Sequence, residues 1–468
     1  ILVEGNSKTN DHVIYREIRT RPGDLFSRTD IIRTQRELSQ LNYFNPEAFG
    51  INPIQHPEDG TVDIEYQVEE KPSDQIELSG GWGGGRVVGS LGLSFTNFSA
   101  KNMFKKGAWR PIPTGDGQRL SIRAQSNGLY FQSYNLSFTE PWLGGKKPNS
   151  LSVSVWKSVQ SNGQPKYIED ELNLLRNSLE VIGAQIGLGQ RWKKPDDWFQ
   201  MRASLSYQNF NLNNYGSFFS FSNGSSNNLA AQFTLGRNSI SDPIYPTWGS
   251  NVEVSVKAPL PYSAFRPDDY YEDLSIEEQY KWVEYHKWKF KAEWYTPLSR
   301  SGGENPRTLV LKMAAGVGIV GQYDRGVPLS PFERFYMGGV YLSGYTLDGR
   351  EIINLRGYDE LSLTSPDPQT GAPVAAKYTA ELRYPISTNP SATIYTLAFL
   401  EGGSTWEDAR AFNPFQVYRS AGVGLKIFLP MFGLLGLDYG WRLDDVEAIP
   451  GMSRGQFHFS MGMNMGEL

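Results

Sequence analysis

From Gln75 onward, apolar and polar residues alternate one for one through most of the chain; a helical spacing of three to four occurs only before that point. In Asn251–Lys257 three valines share one face, and Asn, Glu, Ser and Lys share the other. In Lys287–Tyr295, Trp288, Phe290, Ala292 and Trp294 stand opposite Lys287, Lys289, Lys291, Glu293 and Tyr295. Leu151, Val153 and Val155 alternate with serines, and Leu120, Ile122 and Ala124 oppose Arg119, Ser121, Arg123 and Gln125. A soluble sandwich also alternates, but its polar face is seldom so charged on strand after strand. Charged residues on one face and aromatic ones on the other, sustained over a long chain, are the mark of a transmembrane β-barrel.

The pattern predicts sixteen strands, near 75–83, 86–97, 118–127, 129–139, 149–159, 180–192, 198–210, 226–238, 249–259, 286–297, 306–319, 375–386, 391–401, 418–429, 432–442 and 454–465. An even number closes an antiparallel barrel with both ends on one side. Strands of about ten residues, rising ~3.3 Å each and tilted about 45°, cross roughly 23 Å, close to the apolar band of an outer membrane. Short turns are expected at Gly144–Asn149, Lys194–Asp197, Arg300–Asn305 and Met431–Gly433, and long connections at Pro261–Tyr285 and Gly321–Val374. The acid-rich stretch from Asp268 to Glu284 reads as a solvated outer loop.

The first seventy residues have a different period. Val13, Ile14 and Ile18 suit a short helix; Ser27 suits the N-cap of a second, carrying Ile31, Ile32, Leu38 and Leu41. After the turn at Asp59-Gly60, Val62, Ile64, Tyr66 and Val68 read as a strand. The expected organisation is a β-α-α-β-β module over residues 1–72, on the side of the short turns, followed by a closed barrel over 73–468 with a long luminal or extracellular loop at 321–374.

Composition narrows the class. The chain has 468 residues, of which 39% are hydrophobic, yet it carries 12 Trp, 25 Tyr and 25 Phe, far too many for a disordered chain. No run approaches the ~18 apolar residues of a transmembrane helix. A net charge of −5 leaves no basic footprint for nucleic acid, and the lack of cysteine excludes disulfides and thiolate chemistry. The sequence opens at Ile1 without Met or signal peptide, as expected of a processed or truncated piece.

Enzyme signals are thin, and no catalytic, cofactor or metal residue is assigned. Gly451-Met-Ser453-Arg-Gly455 has the spacing of a nucleophile elbow, but a strand follows it where a helix is required. Gly316-Val-Gly318-Ile-Val-Gly321 resembles a dinucleotide fingerprint, yet Gln322–Pro328 cannot open a helix. The four histidines, at 12, 56, 286 and 458, lack ligand spacing.

The 321–374 loop is different. It is far longer than a passive connection and rich in Gly and aromatics, including Phe335, Tyr336, Gly338, Gly339, Tyr341, Gly344 and Tyr345. Within it stands Leu355-Arg356-Gly357-Tyr358, where the glycine permits a sharp turn. Alternation with Ala380, Leu382 and Tyr384 outward turns Glu381 and Arg383 inward; Ile394, Ala398 and Leu400 outward turn Phe399 and Glu401 inward. The expectation is a loop folded into the lumen, with Arg356 anchored on Glu381 or Glu401.

These residues carry a resemblance that covers essentially the whole chain. Val3-Glu-Gly-Asn6, Gly23-Asp-Leu-Phe26 and Tyr43-Phe44 resemble a POTRA module of the BamA family. Leu355-Arg-Gly-Tyr358 resembles that family's V-R-G-F/Y loop motif, with Leu for Val, and Phe335-Tyr-Met-Gly-Gly339 the F-x-x-G-G stretch before it. Glu381-Leu-Arg-Tyr-Pro385 and Phe399-Leu-Glu401-Gly-Gly403 resemble the wall motifs facing that loop, Glu401 standing where Asp is common. Phe138-Thr-Glu-Pro141 and Asp242–Gly249 resemble the family's periplasmic turns. Two features depart from the family: a single POTRA module, and a last strand ending Gly466-Glu-Leu468 without the usual terminal aromatic.

The resemblance implies an outer-membrane insertase of a Gram-negative bacterium that uses neither nucleotide nor cofactor, with its N-terminal module in the periplasm. Its implied partners are unfolded β-barrel clients, outer-membrane lipids, accessory lipoproteins and chaperones. A mechanism follows from barrel closure. Gly80, Gly81, Gly83, Gly84 and Gly85 crowd the first strand's end, and Gly455, Gly462 and Gly466 interrupt the last. Glycine adds no cross-strand packing, so this seam should be weak, and an unpaired edge templates another strand. The seam expected to act as a lateral gate comprises Ile76, Leu78, Gly80 and Gly81 on the first strand with Phe459, Met461, Gly462 and Met463 on the last. A two-partner-secretion transporter or a TamA-like assembly factor would share this architecture; a diffusion porin would need neither the module nor the lid.

Overall fold

Ser27 starts the longest helix by accepting a hydrogen bond from the backbone N–H of Asp30 at 3.3 Å. In a computed structural model of the chain, residues 1–461 are described apart from 42, 46–47, 72–73, 84–85, 110–111, 193, 217–220, 268–269, 300–306, 325, 341–350, 367–369, 390–391, 430–432, 447–450 and 452. The turn at Arg300–Asn305, most of that at Met431–Gly433, the loop residues Tyr341, Gly344 and Tyr345, and Gly84, Gly85, Gly462, Met463 and Gly466 lie outside the described residues. So do the surroundings of Leu78, Gly80, Gly81 and Met461.

The N-terminal elements are β1 (Leu2–Glu4), α1 (Asp11–Tyr15), α2 (Arg28–Gln40), β2 (Gly50–His56) and β3 (Thr61–Gln67). β3 is the central strand, parallel to β1 and antiparallel to β2. The helices cover one face of this small sheet, burying Val13, Ile14, Ile31, Leu38, Phe44 and Tyr66 together. Ile32, counted on the apolar face from sequence, is exposed; its neighbour Ile31 takes the core position. Gly5 has φ +97° and passes so close to Val68 that a Cβ would lie 1.8 Å from its carbonyl oxygen, which excludes any side chain there. Glu70 accepts the backbone N–H groups of Ser7, Lys8 and Thr9. Burial alone would raise its carboxyl, but the N–H of Thr9 and the Ser7 side chain outweigh that and hold it below the usual range.

Two compact units divide the chain. Residues 1–78 belong to one of them, together with 91–124 and 135–155. Within it, the module binds the strand ends that follow. Tyr43 Oη donates to the carbonyls of Thr96 at 2.8 Å and Gly117 at 3.2 Å. Asn97 Nδ2 donates to Thr9 Oγ1, the N–H of Asn10 to Gly115 O, and Trp142 Nε1 to Glu17 Oε1. These contacts place the module at the connections 99–117 and 141–148.

The remaining strands are β4 (Gln75–Gly83), β5 (Arg86–Phe98), β6 (Gln118–Ser126), β7 (Phe131–Glu140), β8 (Asn149–Ser161), β9 (Tyr167–Ile168), β10 (Glu171–Leu172), β11 (Ser178–Arg191), β12 (Phe199–Asn213), β13 (Gly224–Asn238), β14 (Gly249–Pro259), β15 (His286–Pro297), β16 (Val310–Gly321), β17 (Phe335–Met337), β18 (Glu351–Ile353), β19 (Val374–Asn389), β20 (Ala392–Trp406), β21 (Tyr418–Leu429), β22 (Gly433–Arg442) and β23 (Gly455–Met461). Sixteen of these, all but β1–β3, β9–β10 and β17–β18, form one sheet in strict chain order from β4 to β23. That number and order match the sequence pattern. The main boundary differences are at β16, which starts at Val310 rather than near 306, and β20, which runs on to Trp406. Among the described residues no register joins β4 to β23.

Pairing preserves the two faces. Val254 lies opposite Phe290 and Glu253 opposite Lys291, so apolar meets apolar and charge meets charge. Trp288, Phe290, Trp294, Leu382 and Leu400 are exposed, whereas Lys287, Glu293, Lys312, Glu381 and Asp438 are buried. This inside-out distribution is that of an outer-membrane barrel, whose apolar face meets lipid. Among the described residues no helix is long and apolar enough to cross a membrane. In the 261–285 connection, Glu284 departs from the solvated reading of its acids. It is buried, accepting from Ser263 Oγ at 2.7 Å and Tyr271 Oη at 3.1 Å.

Candidate functional site: the lid and its charged anchor

Residues 322–373 leave β16 and return to β19, and their described part packs against the inner face of the sheet. β17 and β18 pair in parallel, with Tyr336 opposite Ile352. Phe335, Met337, Ile353, Leu355 and Tyr358 are almost wholly buried, in one cluster with the wall residues Leu179, Phe210, Tyr285, Val320 and Ala375. Burying each such side chain contributes roughly 1.5–3 kcal/mol, so this lid is a core element.

Arg356 lies at its centre. Its Nη2 donates to Glu381 Oε1 and to Glu401 Oε1, both at 2.7 Å, and Nη1 reaches Asp438 Oδ1 at 3.3 Å. Its backbone N–H donates to Glu401 Oε2 at 3.0 Å, and the guanidinium lies 3.6 Å from the centre of the Phe399 ring. Burial alone would lower the Arg356 guanidinium, but Glu401, Glu381 and Asp438 outweigh it and hold it well above its ordinary value. Arg383 donates from Nε and Nη2 to Glu381 Oε2 at 2.8 and 2.6 Å, which fixes that carboxylate for Arg356. A cavity of roughly 450 Å³ opens beside this network.

The other motif residues hold the turn. Leu355 donates its N–H to Gly339 O at 3.0 Å, and Tyr358 Oη donates to Arg419 O at 2.7 Å. Gly357 has φ +90°, and its N–H donates to His458 Nε2 of β23 at 2.8 Å. It faces Gly440 of β22: a Cβ on Gly440 would lie 2.6 Å from Gly357 N and 2.9 Å from Arg356 C. Gly403 makes room in the same way for Met337, whose Sδ would sit 3.0 Å from a Cβ there. The lid is thus seated where two backbones nearly touch. Gly440→Ala should push the turn off the wall, at a cost of about 1–3 kcal/mol. Trypsin should then cut within 322–373, while Gly89→Ala, with nothing nearer than 3.9 Å to the new Cβ, should leave the digest unchanged.

The sequence did not reveal several members of this site. Asp438 lies in Gly433-Leu-Leu-Gly-Leu-Asp438, which does not alternate and so gave no face. Lys377 pairs with Glu401 at 3.3 Å and Lys426 with Asp438 at 2.6 Å. A second anchor binds the lid to β14 and β15: Glu333 meets Lys257 at 2.6 Å and Lys287 at 3.3 Å, and Glu351 meets Lys287 at 2.8 Å and also Lys289. The inward lysines of β15 were legible; their partners on an aperiodic loop were not. Of the named seam residues, Ile76 is 71% exposed and Phe459 46% exposed, and the two belong to the terminal strands of the sheet.

Acid should test the second anchor. Burial alone would raise Glu333 and Glu351, but Lys257 and Lys287 bring Glu333 down to about 2, and Lys287 and Lys289 do the same for Glu351. A carboxylate depressed from 4.5 contributes stability that is complete above that pH and is lost as pH falls through about 2. Pepsin should therefore spare residues 322–373 at about pH 4 and cut them below about pH 2; equal cutting at both would contradict the ion-pair anchor.

Comparison with known proteins agrees with this architecture. The Omp85 superfamily domain matches residues 114–465, and the POTRA family, described as a surface antigen variable number repeat, matches residues 1–71. The outer membrane protein assembly factor BamA of Neisseria meningitidis is 24% identical over 427 residues, which cover 87% of this chain and 46% of that protein. The chain spans about half the length of the curated relatives it matches over most of its own length. Among solved structures, BamA from Haemophilus ducreyi lacking POTRA domains 1–3 superposes with a TM-score of 0.62 at 19% identity, over 98% of this chain and 82% of that one. CdiB from Escherichia coli superposes with a TM-score of 0.57 at 13% identity, over 98% of this chain and 74% of that one. With the POTRA module, the ordered sixteen-stranded sheet and the Arg-bearing lid on its inner face, the chain belongs to the Omp85 superfamily of outer-membrane proteins.

Proposed function

We propose that this chain is the membrane part of an outer-membrane insertase, which assembles client β-barrel proteins at the edge between β4 and β23 without nucleotide or cofactor. The observation that carries this reading is the strand order. The sheet begins at β4 and ends at β23, and among the described residues neither terminal strand has a partner on its outer edge. An unpaired edge offers a row of N–H and C=O groups to an incoming strand. Relatives named as outer membrane protein assembly factors support it. The lid grips the last strand through His458, and Gln456 of β23 donates to Asp359 of the lid, so the lid is placed to steady one side of the edge. Unfolded clients, lipids, chaperones and accessory lipoproteins are the partners this role requires.

The fold is shared with CdiB, and a transporter of the same architecture is the alternative reading. The two differ in route: a transporter passes its client through the lumen, an insertase through the edge. A disulfide joining β4 to β23 in nucleotide-free proteoliposomes tests which route is used. An insertase stops when locked and resumes on reduction, whereas continued activity in the locked state would favour the transporter.

A further inference from the structure

The connections at the module end of β5–β8 carry chemistry that neither the lid nor the edge uses. Lys101-Asn-Met-Phe104-Lys105-Lys106-Gly-Ala-Trp109 follows β5, and Trp142-Leu143-Gly-Gly-Lys146-Lys147 follows β7. Phe104 is 88% exposed, Trp109 57% and Leu143 44%, and all five lysines are exposed as well. Neither segment contains an Asp or Glu. By contrast, the 261–285 connection sets seven acids against Arg266 and Lys281.

These turns are built to present those side chains. Ser99 Oγ accepts the Asn102 N–H at 3.3 Å and donates to Asp116 Oδ2 at 2.5 Å, and Trp109 Nε1 donates to Met103 O at 3.0 Å. The Leu143 N–H donates to Asn149 O at 2.7 Å, closing the second turn. Both turns continue strands whose outward residues, Leu91, Ile122, Leu136 and Val153, are exposed and face lipid in an outer-membrane barrel. A bare phenylalanine beside lysines is unfavourable in water. At a bilayer interface the ring and the lysine stems enter the apolar boundary while the ammonium groups stay among headgroups.

We propose that residues 101–109 and 142–147 form a basic-aromatic foot that binds the anionic glycerophospholipid surface of the periplasmic leaflet. Phe104, Trp109 and Leu143 enter the interface, and Lys101, Lys105, Lys106, Lys146 and Lys147 pair with headgroup phosphates. The inference rests on the outer-membrane placement of the chain and is independent of the insertase reading.

The chain has no cysteine, so Ala108→Cys can carry the sole environment-sensitive dye. The full chain is placed in nanodiscs of phosphatidylcholine alone or mixed with phosphatidylglycerol. The dye should shift to the blue and be quenched by brominated lipid more strongly in the mixed discs. Each lysine at an anionic surface is worth about fivefold in binding. Changing all five to Gln should therefore lower the phosphatidylglycerol retained after detergent extraction, read by mass spectrometry, by at least about tenfold. Heat-modifiable mobility on gels checks that each variant still folds, and Phe104→Ser/Trp109→Ser should reduce quenching while leaving part of the lipid preference. Equal signals in the two lipids, or in wild type and the Gln variant, would overturn the proposal. Displacement by inorganic phosphate beyond that by chloride at equal ionic strength would also overturn it, by assigning the lysines to free phosphate. Failure of the wild-type chain to assemble clients, with its lipid preference intact, would count against the insertase reading alone.

Discussion

Arg356→Ala is expected to release residues 322–373 from the inner face while leaving the sixteen-stranded sheet folded. Arg356 and its partners Glu381, Glu401 and Asp438 are all at least nine-tenths buried, so water cannot take over the charges the substitution strands. Removing one member of such a desolvated group costs ~3–5 kcal/mol, against about 0–1 for an exposed pair. The open population of the lid should then rise by roughly two to four powers of ten. Arg356→Lys keeps the charge but loses the planar fork that serves Glu381 and Glu401 together, and should lie between the two. The sheet should survive, because its ladder does not pass through Arg356. Protease cleavage within 322–373, set against heat-modifiable mobility on gels, separates the two effects, and client assembly should fall with the lid. An unchanged digest would mean that the ion pairs do not hold the lid.

Locking β4 to β23 should have the larger functional effect, abolishing assembly until the lock is reduced. Each ladder hydrogen bond contributes about 0.5–1.5 kcal/mol net, so neighbouring strands with long registers, such as β11 and β12, are not separable on a working timescale. No such register joins β4 and β23 among the described residues, and the glycines near both strands offer no packing to compensate. Alternation from the exposed Ile76 puts Ser79 on the opposite face, and Phe457 and Phe459, both exposed, put Gln456 and Ser460 there too. Ser79→Cys paired in turn with Gln456→Cys and Ser460→Cys therefore samples positions on one face, in a chain with no native cysteine. Assembly that proceeds through a quantitatively oxidised pair would exclude the edge as the client's route.

The alternating strands, the Ser27 cap and the sixteen-strand order were legible because each depends on a short repeating pattern. A period of two declares the face of every residue on a strand, so Glu381, Arg383, Phe399 and Glu401 could be named as inward before any coordinate was known. The helical period likewise separated the first seventy residues from the rest, although it could not choose between Ile31 and Ile32 for the core. What alternation cannot supply is the partner. Asp438 sits in a run of Leu and Gly with no period, and Glu333 and Glu351 lie on a loop whose path no repeat constrains. The meeting of Asp438 with Lys426 depends on the register between β21 and β22, and that of Glu333 and Glu351 with Lys257, Lys287 and Lys289 on segments brought together across long stretches of chain.

The same division holds for the glycines. Gly357 was readable as a turn residue. That it must also face Gly440, so that the lid backbone can pass beside β22, depends on a contact between segments more than eighty residues apart. Sequence alone thus determined the faces, the strand order and the residue type that each face presents, because these follow from local period and burial. The tertiary structure alone decided which carboxylates Arg356 meets, which strand the lid grips and which lysines Glu333 and Glu351 pair with, because long-range packing and register set those pairings and no local pattern encodes them.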